Sequence, residues 1–204
     1  MSLVHRTSAT CFLLFVLVYT QTTALANCTE YSHYPDAEIE QYIGILQNSE
    51  KSEIQRSIAY DKIACSDNPN YRQYALEIGL QDTSNSLLRS KILMDAMMSK
   101  DIFVIDLIEP SNLSKESKDY IKENSGQLRF KAYQRDPTEG CITIYIHSKC
   151  GSDRQVKVTG QYVEVTFINF YGKFELTPNN DLKGYVISSG GAKTGKIPAK
   201  LNLF

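Results

Sequence analysis

The chain has 204 residues, of which 42% are hydrophobic and 22% charged, and its formal net charge is −1. That apolar content excludes a disordered chain, which cannot bury enough surface to offset the entropy of ordering. The near-neutral balance excludes recognition of nucleic acid or of an acidic membrane surface through a basic field.

His5 and Arg6 make a weakly positive start, the apolar run CFLLFVLVY follows at 11–19, and Ala24-Leu25-Ala26 has small-x-small spacing. This pattern predicts a secretory signal peptide over residues 1–26. The apolar run is well short of the roughly 20 residues that cross a bilayer, and no later stretch is longer. A lipoprotein reading would lipidate Cys28, but Asn27 stands where the lipobox takes Gly, Ala or Ser. Cleavage after Ala26 to a soluble periplasmic or secreted product is therefore expected over anchoring at Cys28. About 180 residues then remain, the size of one ordinary domain or two small ones.

Cys11 leaves with the leader, so Cys28, Cys65, Cys141 and Cys150 enter an oxidising compartment, where an even count points to disulfides. Zinc is the weaker reading, because no CxxC spacing exists. Cys28 with Cys65 is the preferred pairing, stapling the N-terminus to the helical region. A Cys141–Cys150 bridge requires the chain between them to bend, since a straight strand would hold its ends roughly 30 Å apart against the about 4.4–6.8 Å that a disulfide spans.

From residue 36 the apolar positions have helical spacing. Ile39, Tyr42, Ile43 and Leu46 follow the start signal Pro35-Asp36, and Tyr71, Tyr74, Ala75 and Ile78 share a second face before Gly79. Sliding the chain so that Leu46 falls on Leu80 brings Gln47 onto Gln81, Ser52 onto Ser86, Ile54 onto Leu88, Ile58 onto Ile92 and Asp61 onto Asp95. The expectation is four helices in two pairs, each copy with one apolar stripe containing Ile54 and Ile58 or Leu88 and Ile92. A period in the thirties, with the pattern LQDxxxxLLRxxIL from Leu80, resembles HEAT-like α-helical repeats over residues 36–109. The resemblance implies stacked helical hairpins that offer a face to another protein. An ordinary four-helix bundle is the alternative. Residues 101–108 (DIFVIDLI) read as a short buried helix closing the second pair. The polar stretch 111–124, anchored by Leu113, Tyr120 and Ile121, reads as a solvated linker helix.

After residue 128 the period changes to two: Leu128, Phe130, Ala132; Ile142, Ile144, Ile146; Val163, Val165, Phe167; Ile197, Ala199, Leu201, Leu203. About seven short strands are expected, in an antiparallel β-sandwich or small barrel. The fold class is thus α+β, with a signal peptide (1–26), N-terminal antiparallel helical hairpins (27–109), a polar linker (110–127) and an antiparallel β region (128–204). Whether the two halves share one core stays open.

Motifs with chemistry are scarce. Residues 190–196 (GGAKTGK) match part of a phosphate-binding loop but run into Ile197-Pro198 and a strand, not into the helix such a loop needs, so a hairpin loop is expected. Tyr145 and His147 form the candidate surface, alternating with Ile142, Ile144 and Ile146 and sharing an open sheet face with Thr143. His33 has no acid at a telling spacing, and no serine stands in a GxSxG elbow. Six tyrosines at 31, 34, 42, 60, 71 and 74 crowd the helical half, as a recognition surface or as rims of its core. No catalytic residue, metal site or cofactor is nominated. The expected function is an exported, noncatalytic protein-interaction or binding protein, its partner another protein. The alternatives are a small β-barrel holding an apolar ligand or lipid among Val165, Phe167, Phe174 and Leu201, and a hydrolase whose groups converge only in the fold.

Overall fold

A computed structural model of the chain describes residue 28 and residues 30–81, 86–189 and 194–203. The expected signal peptide, residues 82–85 of the repeat and residues 190–193 of the glycine-rich loop lie outside the described residues.

Four helices come first, at the places the periodicity marks: α1 (Asp36–Gln47), α2 (Glu53–Ala64), α3 (Pro69–Gly79) and α4 (Ser86–Met98). Their starts are set locally. The Ser52 hydroxyl accepts from the Gln55 backbone N–H while the Gln55 side chain accepts from the Ser52 N–H, a reciprocal cap that opens α2. Asn68 caps α3, and Pro69 fills the first turn, where its missing N–H costs nothing. Asp36 and Glu38 place negative charge at the positive end of α1. Each helix packs on the next, and α1 also meets α3 while α2 meets α4. The Cys28–Cys65 disulfide, with Cα atoms 5.5 Å apart, ties the N-terminal segment to the end of α2. Ser32 reinforces it, donating to Cys65 O and accepting from Asp67 N, both at 2.9 Å.

The segment expected to close the helical half as a helix is instead strand β1 (Ile102–Leu107). Phe103, Ile105 and Leu107 are buried and alternate with the part-exposed Val104 and Asp106, so its period is two. The slot it fills decides the matter: its backbone pairs with strands on both sides, which a helix cannot do. Helix α5 (Lys115–Glu123) follows where the polar linker helix is expected, capped by Ser114 and anchored by the buried Ile121. Eight further strands complete the chain: β2 (Gln127–Lys131), β3 (Arg135–Asp136), β4 (Cys141–Thr143), β5 (Arg154–Thr159), β6 (Tyr162–Phe167), β7 (Phe170–Leu176), β8 (Leu182–Ser188) and β9 (Ile197–Leu201).

The nine strands make one antiparallel sheet in the order β2-β1-β9-β8-β7-β6-β5-β4-β3, curled into a half-barrel. The architecture is α+β. Register places Phe103, Ile105, Leu201, Leu182, Phe174, Val163, Val165 and Val156 on one face, the concave one. Phe130 on β2 reaches Phe167 and Phe170, with ring centroids 5.4 and 5.6 Å away, so the curl brings an edge strand over β6 and β7. Gly184 lets β8 approach β7 closely: a Cβ there would lie 1.8 Å from the Lys173 carbonyl oxygen.

Helices and sheet share one core, a single cluster running from Ile39 to Leu203. Helix α4 joins the halves. Arg89 Nη2 donates to Thr177 O at 2.6 Å, and Arg135 on β3 donates to Met98 O and Lys100 O, both at 2.7 Å, covering carbonyls that the helix end leaves unpaired. Gly140 lies against α4 and β5 with no room for a side chain: its Cβ would stand 2.7 Å from Met94 Cε and 2.5 Å from Val158 O.

Candidate binding surfaces

The repeat predicts that Ile54 and Ile58 are buried like Leu88 and Ile92. The structure divides them. Leu88 and Ile92 are 1% and 0% exposed, whereas Ile54 is 72% and Ile58 52% exposed. The two places differ in the residue on the preceding helix. Ile92 fits against Gly79, where a Cβ would come within 2.2 Å of its Cδ1. At the matching place in the first copy stands Ile45, which has no such glycine seat to offer.

The result is a groove of about 170 Å³ lined by Tyr42 and Ile45 from α1, Gln55, Ile58 and Ala59 from α2, and Lys51 between them. The buried Arg56 ties α2 to α1, its Nε donating to Leu46 O at 3.0 Å. The Tyr42 hydroxyl donates to Glu38 Oε1 at 3.1 Å, and that bond, with burial and the carboxylate's charge, raises its pKa above the ordinary tyrosine value. Tyr34 meets Tyr42 edge to face at 6.3 Å and carries Lys62 over its ring at 5.6 Å. An aromatic rim beside an apolar floor suits a protein contact. Of the other helical tyrosines, Tyr60 is core, with no exposure and its hydroxyl on Asp95 Oδ2 at 2.8 Å. Tyr71 closes a surface bond to Asp36 Oδ1, also at 2.8 Å.

Tyr145 and His147 do not lie on an open sheet face with Thr143. Thr143 is buried, β4 ends there, and the chain turns back at once. That early bend is what permits the second disulfide, Cys141–Cys150, at a Cα separation of 5.9 Å. The stapled loop exposes Tyr145 (41%), Ile146 (55%) and His147. Arg154 stacks on the Tyr145 ring at 4.4 Å. No hydrogen bond or ion pair to the His147 ring occurs among the described residues, so nothing there orients it as a base. Sequence reasoning missed the neighbour of this loop. Ile168, 52% exposed, sits in the left-handed region at φ 49°, rare for a β-branched residue, and donates its N–H to Asp153 O at 3.0 Å. Only the shortness of the Ile168-Asn169 turn hints at it.

His33 meets Asp67 Oδ2 at 3.1 Å on an exposed surface. Thr194 accepts from Ser188 N at 2.8 Å, and the chain enters β9 rather than a helix, so the glycine-rich loop belongs to a β-hairpin. Val165, Phe174 and Leu201 have no accessible surface and thus border no space for a ligand. Among the described residues no cluster of His, Cys, Asp or Glu has the makings of a metal site, and no helix is long and apolar enough to cross a membrane. The two disulfides indicate an oxidising, exported environment. Comparison of the chain with protein-family models, curated proteins and solved structures found no match.

Proposed function

We propose that this chain is an exported, noncatalytic protein-interaction protein whose α1–α2 groove receives an amphipathic helix of another protein. In this reading the leader is cleaved after Ala26, releasing the chain to the periplasm or medium. The two helix pairs then act as a short HEAT-like stack on a β-sheet base. The supporting observation is the asymmetry between matched positions: Ile54 and Ile58 are exposed, Ile58 in the lining of an aromatic-rimmed groove, while Leu88 and Ile92 are buried. Ile54 and Ile58, one turn apart on α2, make a short exposed apolar stripe of the kind an amphipathic helix packs against. Two exposed isoleucines side by side gain about 1–2 kcal/mol each when a partner covers them, enough to anchor a small interface.

The test is affinity capture from the exported fraction of the source cells with the wild-type chain and with Ile54→Glu and Ile58→Glu variants, all shown by circular dichroism to be folded. A partner held by wild type and lost in both variants, contacting them through an apolar helix stripe, supports the reading. A partner retained by both variants, or none at all, rejects it.

A further inference from the structure

A second pocket, of about 250 Å³, lies where α3, the end of α4 and the chain after β9 meet. Leu76, Ala96 and Leu203, all buried, give it an apolar wall. Gln73, Ser99 and Lys100 supply its polar groups. The lysine is unusual. It is partly buried, and among the described residues no carboxylate pairs with it: the neighbouring Asp101 is bound to Arg135 at 3.1 Å, and Glu77 accepts from Gln73 Nε2 at 2.9 Å. Burial alone lowers its pKa from the ordinary lysine value, with no opposing charge to restore it. A cation withdrawn from water without a partner is a cost that a bound anion would offset.

Ser99 Oγ spends its proton on Ala96 O at 2.8 Å, so it can only accept. What remains to donate is the Lys100 ammonium and the second N–H of the Gln73 amide, and both call for an acceptor. We propose that this pocket binds an aliphatic carboxylate, its charge on Lys100 and its hydrocarbon against Leu76, Ala96 and Leu203. A phosphate or sulfate would waste the apolar wall, and a neutral alkyl chain would leave the ammonium unpaired. The same chemistry is carried by a free short-chain fatty acid and by the C-terminal residue of a peptide.

The test uses the whole mature chain with ¹⁵N-labelled lysine and ¹³C-labelled methyl groups. Hexanoate, N-acetyl-leucine and hexanol are titrated separately while Lys100 Nζ and the Leu203 methyls are followed by NMR. A carboxylate should give saturable shifts at both sites and raise the Lys100 pKa. Hexanol should give neither. Lys100→Met should weaken carboxylate binding at least about tenfold, and Lys100→Arg should preserve most of it. Binding of hexanoate alone identifies a fatty acid as the ligand type, and binding of N-acetyl-leucine alone a peptide terminus. The proposal is overturned if neither carboxylate moves Lys100, if hexanol binds as well as hexanoate, or if the Met variant binds like wild type. Because the pKa readout is made on wild type, a variant that fails to fold does not leave the matter open.

Discussion

Ile92→Ala and Ile58→Ala form a matched pair: same residue type, equivalent places in the repeat, opposite surroundings. Ile92 has no exposed surface and seats on Gly79 in the shared core. Truncating it removes about three buried carbon groups, about 2.4 kcal/mol of transfer free energy at about 0.8 per group, and leaves a cavity that adds to the loss. A total of about 3–4 kcal/mol is expected. Ile58 is 52% exposed, so the same truncation takes about half as much surface out of contact and leaves no enclosed cavity. About 1 kcal/mol or less should follow. Urea unfolding followed by circular dichroism measures both, as shifts in midpoint at unchanged slope. Equal losses in the two variants would refute the reasoning, because they would mean that Ile58 is covered in the free chain.

Gly184→Ala should destabilise by about 3 kcal/mol or prevent folding, since the added carbon meets backbone rather than a side chain that can swing away; thermal melting reads this directly. Replacing the cysteine pairs with serine should rank by loop length. With sequence separations of 37 and 9, chain entropy assigns about 3.8 kcal/mol to Cys28–Cys65 and about 2.6 kcal/mol to Cys141–Cys150, measurable by denaturant titration. Burial, the Glu164 charge and the hydrogen bond to Glu164 raise the Tyr171 pKa to about 12. The folded chain therefore keeps a proton that the unfolded chain loses, and stability, complete below the ordinary tyrosine value, should fall as pH rises from about 10 to about 12. Tyr171→Phe should flatten that fall. At the acid end, hydrogen bonds from Lys200 and then Lys183 lower the Asp181 pKa, so its contribution is present above the ordinary aspartate value and is lost as pH drops through the lowered one. Asp181→Asn should remove that part of the acid loss in a pH series of melts.

Local rules made most of the elements legible. Four helices stand where the apolar spacing and caps such as Ser52 and Asn68 place them, and the strands follow the alternation through Val163, Val165 and Leu201. Segment 102–107 was ambiguous because a short apolar run satisfies both periods, and only a vacancy between β9 and β2 selects the strand. The spacing set Ile58 against Ile92 and led to the expectation that both are buried, whereas only Ile92 is, seated on Gly79, a contact that spacing alone does not display. Tyr145 and His147 were misplaced for a related reason. Their alternation with Ile144 and Ile146 mimics a strand, while the Cys141–Cys150 staple folds the chain back after Thr143. Lys100 carried no signal at all, since its isolation depends on Arg135 drawing away Asp101 from a distant strand.

The most direct measurement places a photo-crosslinking amino acid at position 58 of the full chain, with a control at Lys183 on the sheet, and irradiates the exported fraction of the source cells. A discrete adduct at position 58, absent from the control, mapping by mass spectrometry to the apolar stripe of a partner helix and abolished by Ile54→Glu, is the expected result. Adducts indistinguishable between the two positions, or none at position 58, would contradict the claim that the α1–α2 groove is a partner-binding face.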